Sequence, residues 1–205
     1  MKKRVVLLIL AAVLLLACVM SGCGKKQPPK EPTAEELMAA LIQEQEAEFT
    51  KAITALFTAD AETWTYYNLD PHEFAYMKES GEYGDISEEV IAENYKKGLQ
   101  AFYESNEETY GKNFSVSVSS STSEVATNEE LSKLKANIVE GDPHYADANI
   151  EAFSILTADI TLSGDISTEV LVEDYPFIKI DGRWYIGVGG FNSAEDVRFF
   201  LEDNQ

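Results

Sequence analysis

Few side chains in this sequence are suited to chemistry beyond packing. There are 2 histidines, His72 and His144, and 2 cysteines, Cys18 and Cys23. The histidines are far apart in the chain, and each follows a proline. A metal site wants three or four ligands at workable spacing. Neither His-x-x-x-His nor Cys-x-x-Cys occurs, and the acidic loops lack the alternating oxygen ligands of an EF-hand. No Gly-x-Ser-x-Gly or phosphate-binding glycine loop is present, and Gly187-Val188-Gly189-Gly190 is a poor match to a dinucleotide loop. Asp142, just before His144, would make that imidazole a general base. An exposed loop histidine is the plainer reading. The sequence therefore leads us to expect no catalytic residue, no metal and no cofactor.

Aromatic residues are the other candidates. Trp64, Tyr66, Tyr67, Phe74, Tyr76 and Tyr83 crowd into one stretch of chain. Trp64, Tyr67 and Tyr76, with Tyr95 and Trp184, are the side chains expected to line a ligand pocket. The competing reading is ordinary core and rim packing, which suits Trp184 best.

These residues need elements to position them. Thr33-Ala34-Glu35-Glu36 has the form of a capping box. Leu37, Leu41, Phe49, Ile53, Leu56 and Phe57 follow at helical spacing, which predicts a helix over about 33–58. Residues 59–86 read as short helical turns broken at Asn68-Leu69-Asp70-Pro71 and Ser80-Gly81. Ser87 opens a further helix with Val90, Ile91, Tyr95, Leu99 and Phe102 on its apolar face. After Gly111 the period changes to two: Phe114, Val116 and Val118 alternate with serines, a half-buried strand. Thr127-Asn128-Glu129-Glu130 is a second capping box, predicting a helix over about 127–139. A long strand follows from Ile150 to Leu162, then a strand through Val170 to Ile180, broken or bulged near Pro176. Asp181-Gly182 is a strong hairpin signal, since both central positions of a type I′ turn want positive φ. Parity then places Ile178, Ile180, Trp184 and Ile186 toward the core, with Lys179 and Arg183 toward water. Ser193 is expected to cap a short terminal helix. The near-match of Gly84-Asp85-Ile86-Ser87 to Gly164-Asp165-Ile166-Ser167 reads as shared turn chemistry, not a repeat. Helices first, then antiparallel strands, give an α+β order.

Composition bounds the partners. The chain carries 36 acidic against 16 basic residues, a net charge of −20. It has no electrostatic reason to bind nucleic acid. Anionic lipid head groups would repel it, apart from Lys25, Lys26 and Lys30. The start is Met1-Lys2-Lys3-Arg4 followed by an uncharged apolar run over residues 5–20. That is a secretory signal, shorter than the roughly 20 residues a membrane span requires. The basic residues stay inside, so the rest is expected outside the cytoplasmic membrane.

Met20-Ser21-Gly22-Cys23 resembles the lipobox of bacterial lipoproteins, with Met20 where leucine is usual. The resemblance implies cleavage before Cys23 and a diacylglyceryl group on its sulfur, the lipid anchor. Leu15-Leu16-Ala17-Cys18 is a competing match with a bulky Leu16, and an ordinary cleaved signal with an incidental cysteine is the other alternative. Loss of Cys18 with the signal would leave no pair to form an intramolecular disulfide. The expected organisation is a signal over 1–22, a lipidated cysteine and Pro-rich tether over 23–32, and one domain over 33–205. The segment Ile178-Lys179-Ile180-Asp181-Gly182-Arg183-Trp184-Tyr185-Ile186 resembles the last hairpin of nuclear transport factor two-like domains. That resemblance implies helices packed on a curved antiparallel sheet of about four strands, often enclosing a pocket. The family includes isomerases, dehydratases and non-catalytic members, so it leaves function open. The expected partners are the membrane, through the anchor, and a small ligand or an envelope protein. The favoured reading is a non-catalytic binding domain; the alternative is an acid–base enzyme.

Overall fold

A computed structural model describes residues 31–81 and 84–187. The chain divides into two compact units, Met1–Ala34 and Glu35–Gln205. Of the first unit only residues 31–34 are described. The expected signal and Cys23 therefore lie outside the described residues, as do Val188 and the helix expected at Ser193.

The apolar spacing of Phe49, Ile53 and Phe57 folds as α1 (Ala34–Thr58). Its first turns are exposed, and its buried stripe begins at Gln45. Gln45 is a polar residue in a dry place, so both ends of its amide are used. Nε2 donates to Thr122 Oγ1 at 2.8 Å, and Oε1 accepts from Ser154 Oγ at 2.7 Å. The expected helical turns of 59–86 are two helices, α2 (Ala61–Asn68) and α3 (Pro71–Ser80). Asp60 and Asp70 cap them, and Gly81 ends α3 at φ 65°. Ser87 caps α4 (Glu88–Tyr110) through Val90 N. No helix among the described residues is long and apolar enough to cross a membrane.

The sheet is an antiparallel meander in the order β1 (Ser115–Val125), β2 (Ile150–Ser163), β3 (Ser167–Ile180), β4 (Arg183–Ile186). Between β1 and β2 lies α5 (Asn128–Gly141), whose capping box at Thr127 and Glu130 is complete. A single 3-10 turn, Pro143–Tyr145, follows it. The α+β class is thus observed, with five α-helices and four antiparallel strands among the described residues.

Both sheet faces are covered at the β2–β4 end. Phe49, Ile53 and Phe57 of α1 pack with Leu156, Phe177, Trp184 and Ile186. Leu134 and Ile138 of α5 pack with Phe153, Ile155, Ile178, Ile180 and Tyr185. This corrects the parity argument for the last hairpin. Asp181 (φ 51°) and Gly182 (φ 83°) do form a turn with two positive φ angles. A two-residue turn, however, pairs Ile180 with Arg183 and Ile178 with Tyr185. Even positions on β3 therefore share a face with odd positions on β4. Ile178 and Ile180 face α5, whereas Trp184 and Ile186 face α1. Lys179 is on the Trp184 side, with its ammonium 5.6 Å from that ring's centroid.

β3 is also continuous through Pro176. The irregularity falls earlier, where two residues of β3, one of them Asp174 at φ 53°, oppose Thr157 alone. Pro176 pairs with Ile155 on one side, and β4 ends opposite Phe177, so the missing N–H costs no ladder bond there. The Gly84 and Gly164 segments differ as expected of a coincidence. The first leads into the cap of α4, the second into β3.

Candidate functional site

The start of α3 is an unusual place to find a buried carboxylate. Asp70 is 1% exposed. It accepts from His72 N at 3.1 Å and from the Tyr145 hydroxyl at 2.5 Å. Burial pushes its carboxyl above the usual range, and these two bonds pull it part of the way back. Tyr145 is fully buried beneath it, and burial with the Asp70 charge raises the phenol strongly.

The two histidines, distant in sequence, meet beside this pair. His72 Nδ1 is 2.9 Å from the carbonyl oxygen of His144, and Nε2 is 3.0 Å from Asp181 Oδ2. Both partners are acceptors, which favours a proton on each ring nitrogen. His144 is held alike, with Nδ1 2.8 Å from Asp142 Oδ1 and Nε2 3.1 Å from Glu79 Oε2. For His72, burial opposes the charge but the Asp181 bond and the Asp70 charge outweigh it, so the pKa is raised. For His144 the Asp142 bond leads, and the pKa is again raised. Each imidazole has an acceptor at both ring nitrogens, an arrangement that favours its cationic form. The Asp142–His144 pair exists, but Glu79 occupies the nitrogen a general base would use. No cluster able to hold a metal ion occurs among the described residues.

The signal for this meeting is legible afterwards. Asp70-Pro71-His72 and Asp142-Pro143-His144 are the same tripeptide. In each the aspartate caps a helical turn, the proline opens it, and the histidine N–H bonds back to the aspartate.

A partly open cavity of about 260 Å³ lies beside α3. The α2–α3 joint contributes Asn68 and Leu69, α3 Glu73 and Met77, and α4 Ile91 and Tyr95. The sheet adds Tyr175 and Ile186, and Gly187 follows β4. A larger hollow of about 440 Å³ between α2 and α4 is a shallower trough. Glu73 is the informative residue. It stands three after the cap Asp70, where a capping box would turn its carboxylate back to the Asp70 N–H. Among the described residues it makes no such bond and no ion pair. Glu73 lines the cavity instead. Burial, then the negative charges of Asp70 and Asp142, push its pKa up. Tyr95 is raised by burial and by Glu73, and Tyr175 by burial, so both phenols stay neutral.

Of the five aromatic residues expected at a pocket, Tyr95 lines this cavity. The other four are not brought together with it. Trp64 packs against the α1 core, and Tyr67 is buried with its hydroxyl donating to Glu48. Tyr76 is exposed, its ring edge-on to His144. Trp184 is 2% exposed, stacked on Phe177, with its indole N–H on Glu44. These four ring systems serve the core and the rim. Cys23 lies outside the described residues. No protein-family model, no curated protein and no solved structure matches the chain.

Proposed function

We propose that this chain is a lipid-anchored, extracytoplasmic binding protein, diacylated at Cys23, whose domain of nuclear transport factor two-like form takes a small ligand in the Glu73 cavity. The anchor rests on the signal and lipobox at residues 1–23. The fold-family reading is supported by helices preceding an antiparallel meander and by the hairpin from Ile178 to Ile186. The inserted α5 departs from it. The observation carrying the binding reading is Glu73, a carboxyl with no hydrogen bond or ion pair among the described residues, on the wall of a concave, partly apolar site. The volume is below the roughly 300–1,000 Å³ of drug-sized sites, which favours a small metabolite. A fragment screen followed by tyrosine-ring NMR tests it. Ligands that move Tyr95 and Tyr175 together support the reading. Hits that all map elsewhere would discard it.

One observation favours an acid–base enzyme as the second reading. A carboxyl held above the usual range beside a neutral tyrosine is suited to moving a proton. Such an enzyme would exchange solvent deuterium into a bound carbonyl compound, and Glu73→Gln would abolish the exchange. A binding protein shows no exchange in either form.

A further inference from the structure

We propose that the ligand of this cavity is a small organic cation, an alkylammonium whose charge sits on Glu73 and whose carbon chain lies against Met77, Ile91 and Ile186. The inference rests on the reading of the cavity as a ligand site and names the class it selects.

The argument begins with charge. The groups acting electrically on Glu73 are Asp70 and Asp142, both negative. The nearby cations are committed elsewhere. Both N–H groups of His72 go to the His144 carbonyl and Asp181. The Arg183 guanidinium lies 3.8 Å from the Tyr66 ring centroid and 4.8 Å from that of Tyr185. Lys179 is paired with Glu44. The first turn of α3 supplies only about half a positive charge, and Asp70 already caps it. A ligand bringing one positive charge therefore relieves the site. An anion would meet the Glu73 carboxylate and the negative charges of Asp70 and Asp142 that act on it, and a neutral molecule would bring it no counter-charge.

The walls decide between a metal and an organic cation. Calcium wants six to eight oxygens. Here one carboxylate, one amide and two phenols share the cavity with Leu69, Met77, Ile91 and Ile186, fewer oxygens than calcium takes. An ammonium group needs fewer oxygens, and its carbon chain needs apolar wall. Tyr95 and Tyr175, aromatic and neutral, also line the cavity, and aromatic rings attract an ammonium.

The test uses three probes of matched size on the full-length chain in detergent: n-butylammonium, n-butanol and butyrate. Tyrosine-ring NMR and melting temperature are followed for the wild type and Glu73→Gln. Butylammonium should bind best, and Glu73→Gln should weaken it about 10- to 100-fold, as expected for loss of a charged hydrogen bond. The same variant should leave n-butanol unchanged, which also reports that the cavity is intact. In the wild type, lowering the pH through the raised titration of Glu73 should weaken butylammonium but not butanol. Equal binding of all three probes, preference for butyrate, or butylammonium binding indifferent to Glu73→Gln would overturn the cation assignment and leave a ligand cavity. No shift at Tyr95 or Tyr175 with any probe would overturn both.

Discussion

Tyr145 shows how one hydroxyl steadies a buried charge. It donates to Asp70 where neither group reaches water, so phenylalanine there leaves a carboxylate oxygen with no donor. Tyr145→Phe should cost about 1–3 kcal/mol. The lost bond favoured the ionised form, so the Asp70 pKa, already raised, should rise further. A carboxyl whose folded pKa is raised loses stability as pH climbs through the interval between its unfolded and folded values. The drop in melting temperature should therefore be larger at pH 7 than at pH 4, and equal drops would refute this account. Two glycines give a second residue-scale contrast. A Cβ on Gly164 would sit 2.0 Å from the Tyr110 carbonyl oxygen, where the β2–β3 turn closes on the end of α4. Asp165 N donates to that same oxygen at 2.6 Å, so the backbone has nowhere to retreat. Gly164→Ala should destabilise by about 1–3 kcal/mol, as overpacking does. Gly98 lies inside α4 with nothing within 4 Å of its Cβ position. Gly98→Ala should stabilise by about 0.5–1 kcal/mol through helix propensity. Thermal melts should move in opposite directions, and a shared sign would contradict the local geometry.

At the level of elements, α3 is the piece held least by its core. It buries no residue fully. Polar clamps fix it instead: His72 to Asp181 and the His144 carbonyl, Glu79 to His144, and Asp70 to Tyr145. The histidine contribution is complete below the unfolded pKa near 6.5 and is lost as pH rises through the raised folded values. For Asp181, burial is outweighed by the His72 bond, and its lowered pKa gives a contribution present above about pH 4 and lost below. Asp70 and Glu73, both raised, lose stability as pH climbs from their unfolded values of about 4, which draws the optimum toward the acid end of the range. Docking of α3 should be firmest between roughly pH 4 and 6.5. Side-chain exposures of 24% for His72 and 52% for Asp181 make that clamp worth about 1 kcal/mol or less. Hydrogen exchange over residues 71–80, corrected for intrinsic rates, should lose protection from pH 6 to pH 9, and His72→Gln should flatten the change. An unchanged profile would remove the histidines from the account. The sheet makes a different element-scale prediction, because both of its faces are covered. Trp184 and Tyr185 point to opposite sides and are 2% and 4% exposed. Each truncation to alanine should cost about 3–5 kcal/mol. A mild Tyr185→Ala would show that the α5 face is loosely packed. Legibility in the sequence divides along similar lines. Periodicity and capping located α1, α4 and α5 because those signals are local, and Thr127 with Glu130 fixed a helix start to the residue. The hairpin turn was visible, while the face each residue takes depends on pairing across the turn. The cavity stayed hidden because Glu73 carries the mark of a cap, and its use is decided by α4 and the sheet. The Asp-Pro-His pair was visible only as two separate loops, since nothing local reports that they meet.

For the whole molecule the governing quantities are charge and address. A chain with 36 acidic and 16 basic residues is kept apart from its neighbours and from anionic lipid by repulsion. Adhesion to a membrane surface through the domain is therefore unfavourable, and retention there requires a covalent anchor. One acyl chain gives only marginal, reversible membrane binding, whereas two hold stably. A diacylglyceryl group on Cys23, as proposed, would supply two, and Ser21 and Gly22 before it are small enough for a peptidase to pass. Cys18 is preceded by the bulky Leu16 and lies within the apolar run, so lipidation there would shorten the signal. We therefore predict that a fed fatty acid labels the wild type and Cys18→Ala equally and does not label Cys23→Ala, which should be released or remain unprocessed. Mass spectrometry of the N-terminal peptide should find the lipid on Cys23. Cleavage and lipidation at Cys23 would leave no thiol pair for an intramolecular bridge, so reductant should not change the melting temperature of the wild type. Lipid on Cys18 would overturn the assignment to Cys23, and a clear fall in melting temperature with reductant would show an intermolecular bridge or a different cleavage site.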